Sequence, residues 1–314
     1  MLSGTRSGLL ASGVVTAALV GRWFWRHRRA PAFRGWRPPA GEVRKVGRLS
    51  VRLIGDAGPV VVLLHGLVGS GREWGAAWDG LAGAHRLVVP DLLGFGRSHP
   101  ADGPYAVADQ LAALAECARE LGVDDEPLLL VGHSMGGALA LAFAAERLDQ
   151  GSPVAGVAAY CLPLFHSAAE ADATLAASDW INRTMTAPGR LPRLACRTIC
   201  GGPWWGKALY VALNPLYPVA LAADGVNHCF DSYRHGLDTL VRTDSWRAAL
   251  RRCERAGVPV LLAGGATDHV VALGRHESLA GPTTFAVTHS NGGHDLPIAD
   301  PDWCLQKLSD VFGE

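Results

Sequence analysis

Net charge is what this 314-residue sequence lacks: Lys+Arg (29) and Asp+Glu (29) cancel, and charged residues make up only 18% of the chain. A balanced chain has no field that gathers a polyanion, so nucleic acid is excluded as the expected ligand. A disulfide framework is missing too. The seven Cys, at 117, 161, 196, 200, 229, 253 and 304, are odd in number and scattered, unlike the pairs of a small secreted domain, so reduced thiols are expected. Cys196 and Cys200 form the one close pair. Without a second pair or a histidine at metal-ligand spacing, burial as small apolar side chains accounts for them; no metal and no cofactor are expected. The Gly-rich loop His65-Gly66-Leu67-Val68-Gly69-Ser70 lacks both the lysine of a P-loop and the glycine spacing of a dinucleotide fingerprint, which sets nucleotide binding aside.

What is present in quantity is apolar material, 49% of residues, enough for a sizeable core. From residue 42 onward, short β-branched runs alternate with Ala/Leu-rich helical stretches. That pattern predicts an α/β fold with a mostly parallel central sheet covered by helices on both faces. Strands are expected over Arg48–Ile54, Val60–His65, Arg86–Val89, Leu128–Val131, Val154–Tyr160, Val258–Ala263 and Thr284–Thr288. Helices are expected over Glu73–Leu81, Val107–Leu121, Met135–Leu148, Trp246–Arg255, Leu273–Leu279 and Asp302–Phe312. Between 162 and 245 the alternation stops among prolines and aromatics, and a helical insertion is expected there, dividing the core into 42–161 and 246–314.

The amino-terminal 41 residues read differently. Ser7 to Gly21 carries no charge, and Trp23-Phe24-Trp25 and then Arg26, Arg28 and Arg29 follow it. The run is short for a span, which needs ~20 apolar residues, but Arg22 can snorkel. An uncleaved membrane anchor over 7–25 is the first reading, and the positive-inside rule then places the rest of the chain in the cytoplasm. A cleaved export signal and a disordered leader are the alternatives, the signal disfavoured by basic residues that follow the apolar run instead of preceding it.

The chemistry gathers at loops that follow strands. Leu128–Val131 leads into Gly132-His133-Ser134-Met135-Gly136-Gly137 and then a helix. Strand, tight turn and helix around one serine describe a nucleophile elbow, in which glycines spare the crowded turn a side chain and the hydroxyl stands clear of the sheet. A serine needs a base, and the base needs a carboxylate to hold it. Asp268 lies in the loop after the Val258–Ala263 strand; its alternative role is to cap the segment after it. His294 lies between glycines and the final helix and is preferred as base to His289, which sits at the strand end, while His133 is assigned packing or hydrogen bonding beside the nucleophile. Two backbone N–H groups, those of Leu67 and Met135, are the expected oxyanion donors.

With His65-Gly66, Asp91-Leu92-Leu93-Gly94-Phe95-Gly96-Arg97-Ser98, the elbow, Asp268 and Gly293-His294 in this order, the chain resembles the α/β-hydrolase superfamily from about residue 48 to its end, the insertion excepted. The resemblance implies that Asp91 to Ser98 shapes the site wall, with Asp91 structural, and that the insertion is a cap over the pocket. Family members with aspartate at the elbow are dehalogenases and epoxide hydrolases; Ser134 here implies acyl chemistry instead. Trp180, Trp204, Trp205, Tyr210, Leu213, Leu216, Tyr217 and Phe230 in the insertion suit a small-molecule substrate with an apolar portion, or else form the insertion's own small core. Hydrolysis of a carboxylic ester is the expected reaction. Acyl transfer, carbon–carbon bond hydrolysis, haloperoxidase-like chemistry and non-catalytic ligand binding are the alternatives.

Overall fold

The computed structural model describes residues 33 and 35–313, apart from 102, 179, 188, 202 and 203 and the side chains of 180 and 181. The proposed anchor at 7–25 therefore lies outside the described residues. Eight strands form one sheet: β1 (Glu42–Val46), β2 (Leu49–Ile54), β3 (Val60–Leu64), β4 (Arg86–Asp91), β5 (Leu128–His133), β6 (Val154–Tyr160), β7 (Val260–Gly265) and β8 (Thr284–His289). Their spatial order is β1-β2-β4-β3-β5-β6-β7-β8. β2 runs antiparallel to both β1 and β4, and every other pairing is parallel. β3, β5 and β7 are buried along their whole length, as strands covered on both faces must be.

The helices are α1 (Val107–Glu120), α2 (Met135–Asp149), α3 (Ala168–Ser178), α4 (Trp180–Thr186), α5 (Leu191–Ile199), α6 (Trp204–Leu213), α7 (Val219–Asp224), α8 (Phe230–Gly236), α9 (Trp246–Arg255), α10 (Leu296–Ala299) and α11 (Pro301–Phe312). Alternate residues of the central strands feed two cores. Val60, Val62, Leu128 and Leu130 pack with Leu114, Leu139 and Trp246 of α1, α2 and α9. Their neighbours Val61, Leu63, Leu129 and Val131 share the other core with Trp74, Trp78 and Leu308. The period of two along each strand thus sorts one apolar run into two layers. Residues 162–245 hold α3 to α8 and a π-helical turn at Leu237–Val241, with no strand among the described residues. No described helix is long and apolar enough to cross a membrane.

Three local expectations are corrected. β1 is not anticipated by the sequence because three of its five residues are charged; it is an edge strand, joined to β2 through the two-residue turn Gly47-Arg48, with Gly47 at φ 54°. That turn also moves the start of β2 from Arg48 to Leu49. The expected helix Glu73–Leu81 is two 3-10 turns, Gly71–Glu73 and Trp78–Gly83. Both Trp74 and Trp78 must be buried there, their rings edge to face at 4.6 Å, and a Cβ at Gly75 would lie 2.7 Å from the Arg37 carbonyl. Leu273–Leu279 likewise shortens to a 3-10 turn, Arg275–Leu279, after Gly274 at φ 70°. The short α10 and the 3-10 turn Gly96–Ser98 are not anticipated, while the other strands and helices expected of the core differ only at their ends. Val258, for example, closes α9 by donating its N–H to the Cys253 carbonyl, so β7 starts at Val260.

Arg147, on α2 and 1% exposed, ties together the loops that feed β5 and β6. Its guanidinium donates to the Asp124 carboxylate at 3.1 Å and to the carbonyls of Asp124, Glu126 and Pro153 at 2.8, 3.1 and 3.2 Å. Arg147→Met keeps the aliphatic bulk and leaves those acceptors unpaired. A loss of roughly 2–3 kcal/mol is expected, read as a lower denaturant midpoint at unchanged slope.

Candidate active site

β5 passes through Ser134 into α2, and at Ser134 the backbone takes φ 51° and ψ −118°, a left-handed conformation that costs a non-glycine residue roughly 1–3 kcal/mol. The surroundings leave it no alternative. A Cβ on Gly132 would stand 2.2 Å from the Gly136 carbonyl, and one on Gly136 would stand 2.2 Å from the Leu64 carbonyl. Since Leu64 is paired with Gly132 across the β3–β5 ladder, the turn is pressed against the neighbouring strand end. The Ser134 N–H donates to the Tyr160 carbonyl at 2.8 Å, which fixes the turn to β6 as well.

Asp268 follows β7 and His294 follows β8, so three strand ends converge on one point. His294 Nε2 lies 3.0 Å from Ser134 Oγ, and its Nδ1 lies 2.9 Å from Asp268 Oδ2. Asp268 is 1% exposed; burial alone would raise its carboxyl pKa, but the adjoining His294 and the N–H of Val270, donated to Oδ1 at 2.9 Å, hold it below the ordinary value. Asp268 therefore both orients the imidazole and caps the segment after it. His289 is turned elsewhere, toward Asp300 at 3.1 Å with its ring against Trp303.

Leu67 and Met135, whose N–H groups are the expected oxyanion donors, come from the loop after β3 and the first position of α2. Helix first-turn N–H groups have no acceptor within their own helix. The side chains of the two residues meet over Gly236, where an added Cβ would lie 2.7 Å from Met135 Sδ and 3.1 Å from Leu67 Cδ1. Leu67, Ser134 and His294 line a cavity of about 450 Å³. Its wall is largely apolar, with Leu175, Leu213, Leu221 and Leu237 from the 162–245 segment, and Tyr210 and Tyr217 also face it. Of the residues expected in this role, Trp204 (81% exposed) and Trp205 (43%) instead lie on the surface, because α6 turns only one side toward the cavity, and Leu216, beyond the end of α6, is exposed as well. The segment is held over the sheet by Ser70 Oγ donating to Asp224 at 2.7 Å, by Ser232 Oγ donating to the Gly94 carbonyl at 3.0 Å, and by Tyr217 donating to Asp295.

Sequence reasoning missed one residue of this site, Glu73. Its carboxylate is buried against His133 Nδ1, and its second oxygen accepts the N–H of Gly66 at 3.1 Å. His133 Nε2 faces the carbonyl of His294 at 2.8 Å. Both partners of the His133 ring are acceptors, so both nitrogens carry a proton and the ring is a cation. Burial opposes this charge, yet Glu73 outweighs burial and lifts the His133 pKa to about 9; Glu73 is held low in return. A buried ion pair thus joins the elbow, the loop of Leu67 and the loop of His294. The available signal was an acid between Gly71 and two tryptophans, obscured by assigning it to an exposed helix. Asp91 is likewise tied to backbone, accepting from the N–H groups of Gly71 and Arg97 at 2.6 and 2.7 Å.

Residues 61–307 match the model of the alpha/beta hydrolase family, and the chain belongs to that family. Among curated relatives, it is 41% identical over 108 residues to lipase LipV of Mycobacterium tuberculosis, covering 32% of this chain and 38% of that one. It is 37% identical over 123 residues to the magnesium-chelatase 30 kDa subunit of Rhodobacter capsulatus, covering 38% and 42%. The matches thus span well under two thirds of these relatives. Among solved structures, a thermophilic esterase from Thermogutta terrifontis superposes with a TM-score of 0.62 at 21% identity, over 86% of this chain and 97% of that one. An enol-lactonase from Burkholderia xenovorans gives 0.61 at 19%, over 87% and 100%, and a bromoperoxidase from Bacillus anthracis 0.62 at 18%, over 88% and 100%. At such identities the likeness is one of fold.

The Glu73–His133 pair predicts a pH signature. Its stabilisation is complete between the ordinary carboxylate and imidazole values of 4.5 and 6.5 and is lost as the pH rises through about 9. In Glu73→Gln this alkaline decline should disappear. Urea midpoints for both proteins across that range test it, and parallel curves would refute the ion pair.

Proposed function

We propose that this protein is a serine hydrolase that cleaves a carboxylic ester with an apolar portion. The observation that carries the reading is the hydrogen-bonded series Ser134–His294–Asp268, whose serine and histidine line a largely apolar cavity. Ser134 Oγ attacks the ester carbonyl carbon while His294 Nε2 takes its proton, giving a tetrahedral intermediate. The N–H groups of Leu67 and Met135 receive the new oxyanion, a type of contact worth about 10²- to 10³-fold in rate per donor. His294 then returns the proton to the leaving alcohol as the carbon–oxygen bond breaks. Water, deprotonated by the same imidazole, attacks the acyl-enzyme, releases the acid and restores Ser134. Asp268 stays ionised throughout and steadies the imidazolium. The proton that leaves Ser134 in the first half departs with the alcohol, and the water consumed in the second half supplies the one that restores the serine.

Ser134→Ala should abolish covalent labelling by a fluorophosphonate and lower ester turnover by on the order of a million-fold, with His294→Ala nearly as severe and the double variant scarcely worse. Asp268→Asn should be milder. A folded Ser134→Ala protein that keeps more than a few per cent of activity would overturn the assignment. A series of p-nitrophenyl esters of increasing chain length, run with and without an alcohol acceptor, separates hydrolysis from acyl transfer and reads the depth of the cavity.

Residues 7–25 are assigned in the same proposal to an uncleaved anchor that leaves the hydrolase on the cytoplasmic side. Deletion of residues 1–30 should release an active protein from the membrane fraction. A full-length protein found wholly in the supernatant, or processed near Ala30, would refute the anchor.

A further inference from the structure

The sequence offers no histidine near Cys196 and Cys200, but the fold supplies one. Cys196 lies in the last turn of α5 and Cys200 caps it, so a spacing of four puts both thiols on one face of the helix end. Gly201, at φ 74°, then turns the chain and donates its N–H to the Val226 carbonyl at 2.6 Å. This contact brings His228, two residues on, against the thiols. One ligand atom from each of Cys196, Cys200 and His228 lies within 4.8 Å of the other two. Both cysteines are free.

His228 is the second observation. It is 3% exposed, and its ring nitrogens have no hydrogen-bond partner other than the neighbouring Cys196 thiol. A buried imidazole whose only polar neighbour is a weakly bonding thiol is poorly satisfied, so the space beside it suits an ion that the ring and the thiols can ligate together. The ring is held in place between Phe95 and Tyr233, at 6.1 and 5.9 Å, and the His228 backbone bridges to Phe95. Gly201 is pressed on its other side by His99, whose Nε2 would lie 2.9 Å from an added Cβ.

We propose that Cys196, Cys200 and His228 bind one zinc(II) ion, with water at the fourth corner. Two thiolates and an imidazole are a soft donor set that suits zinc, and bonds of about 2.0–2.3 Å place tetrahedral ligand atoms roughly 3.3–3.8 Å apart, inside the 4.8 Å within which these three atoms lie. Binding expels one proton from each thiol. The dication and two thiolates then sum to zero, so the site carries no net charge in a largely buried position. The ion joins the end of α5 to the stretch that bridges Phe95, and so fastens the segment over the cavity to the loop after β4. It stands apart from Ser134, His294 and Asp268 and takes no part in the proposed ester chemistry.

The test uses the reduced full-length chain. Expected are one equivalent of tightly held zinc by elemental analysis and, on cobalt(II) substitution, a thiolate-to-metal charge-transfer band with the strong visible bands of a tetrahedral ion. Cys196→Ser, Cys200→Ser and His228→Gln should each weaken zinc by more than about 100-fold in competition with a chromophoric chelator. Cys229→Ser, one residue from His228, should bind as the parent does. Zinc should also raise the Tm of the parent in a concentration-dependent way and leave the cysteine variants unmoved. Absence of the cobalt charge-transfer band, or full affinity in either Cys196→Ser or Cys200→Ser, would overturn the site. These two variants retain the triad, so loss of metal with ester turnover intact would separate this site from the proposed activity.

Discussion

The backbone at Ser134 occupies a conformation that a residue with a side chain avoids, and the molecule is arranged so that it cannot relax. Gly132 and Gly136 let β5 and α2 close to within contact of the Leu64 carbonyl, and the Ser134 N–H is spent on Tyr160 of the next strand. Any outward drift of the turn would break the β3–β5 register and the start of α2 together. Strain of roughly 1–3 kcal/mol is small beside the burial of three wholly covered strands, which is why it persists. The hydroxyl is thereby aimed at His294 before any ligand arrives.

Beneath that turn, charge does the work that apolar packing cannot. Glu73 and His133 are buried together and touch the loops that carry Leu67 and His294. A methylene core would fill the same space without direction; hydrogen bonds fix angle as well as distance. Removing one partner would strand the other as a buried charge, a change more damaging than replacing both. Asp91, Gln110 and Arg147 repeat the device at the loops around β4 and β5, each pairing a buried polar side chain with backbone groups that no strand satisfies.

How much of this was legible in the sequence follows from the range of each interaction. The strands of the central sheet and helices α1, α2, α9 and α11 were readable because the apolar period is local. Ser134, Asp268 and His294 were readable as candidates because each sits in a Gly-rich loop directly after an apolar run. β1 was hidden by its charges, and the two 3-10 turns around Trp74 and Trp78 by a composition that suits a helix. Glu73 and His228 were hidden for a different reason. Their meaning lies in partners 60 and 28 or more residues away, which no spacing rule links to them. The surface position of Trp204 and Trp205 was equally unreadable, since an aromatic residue does not announce which side of a short helix it will take.

The hydrogen bond between Ser134 and His294 spans 160 residues, and the strand that delivers the histidine is the last of the eight. A chain leaving the ribosome therefore completes β3, the elbow and the whole 162–245 segment before the His294 imidazole exists to face the serine. Only when β8 pairs with β7 does the last loop reach the cavity, so the geometry on which the proposed chemistry rests is completed by the last strand of the sheet, after the residues that line the pocket from 162–245 have been made.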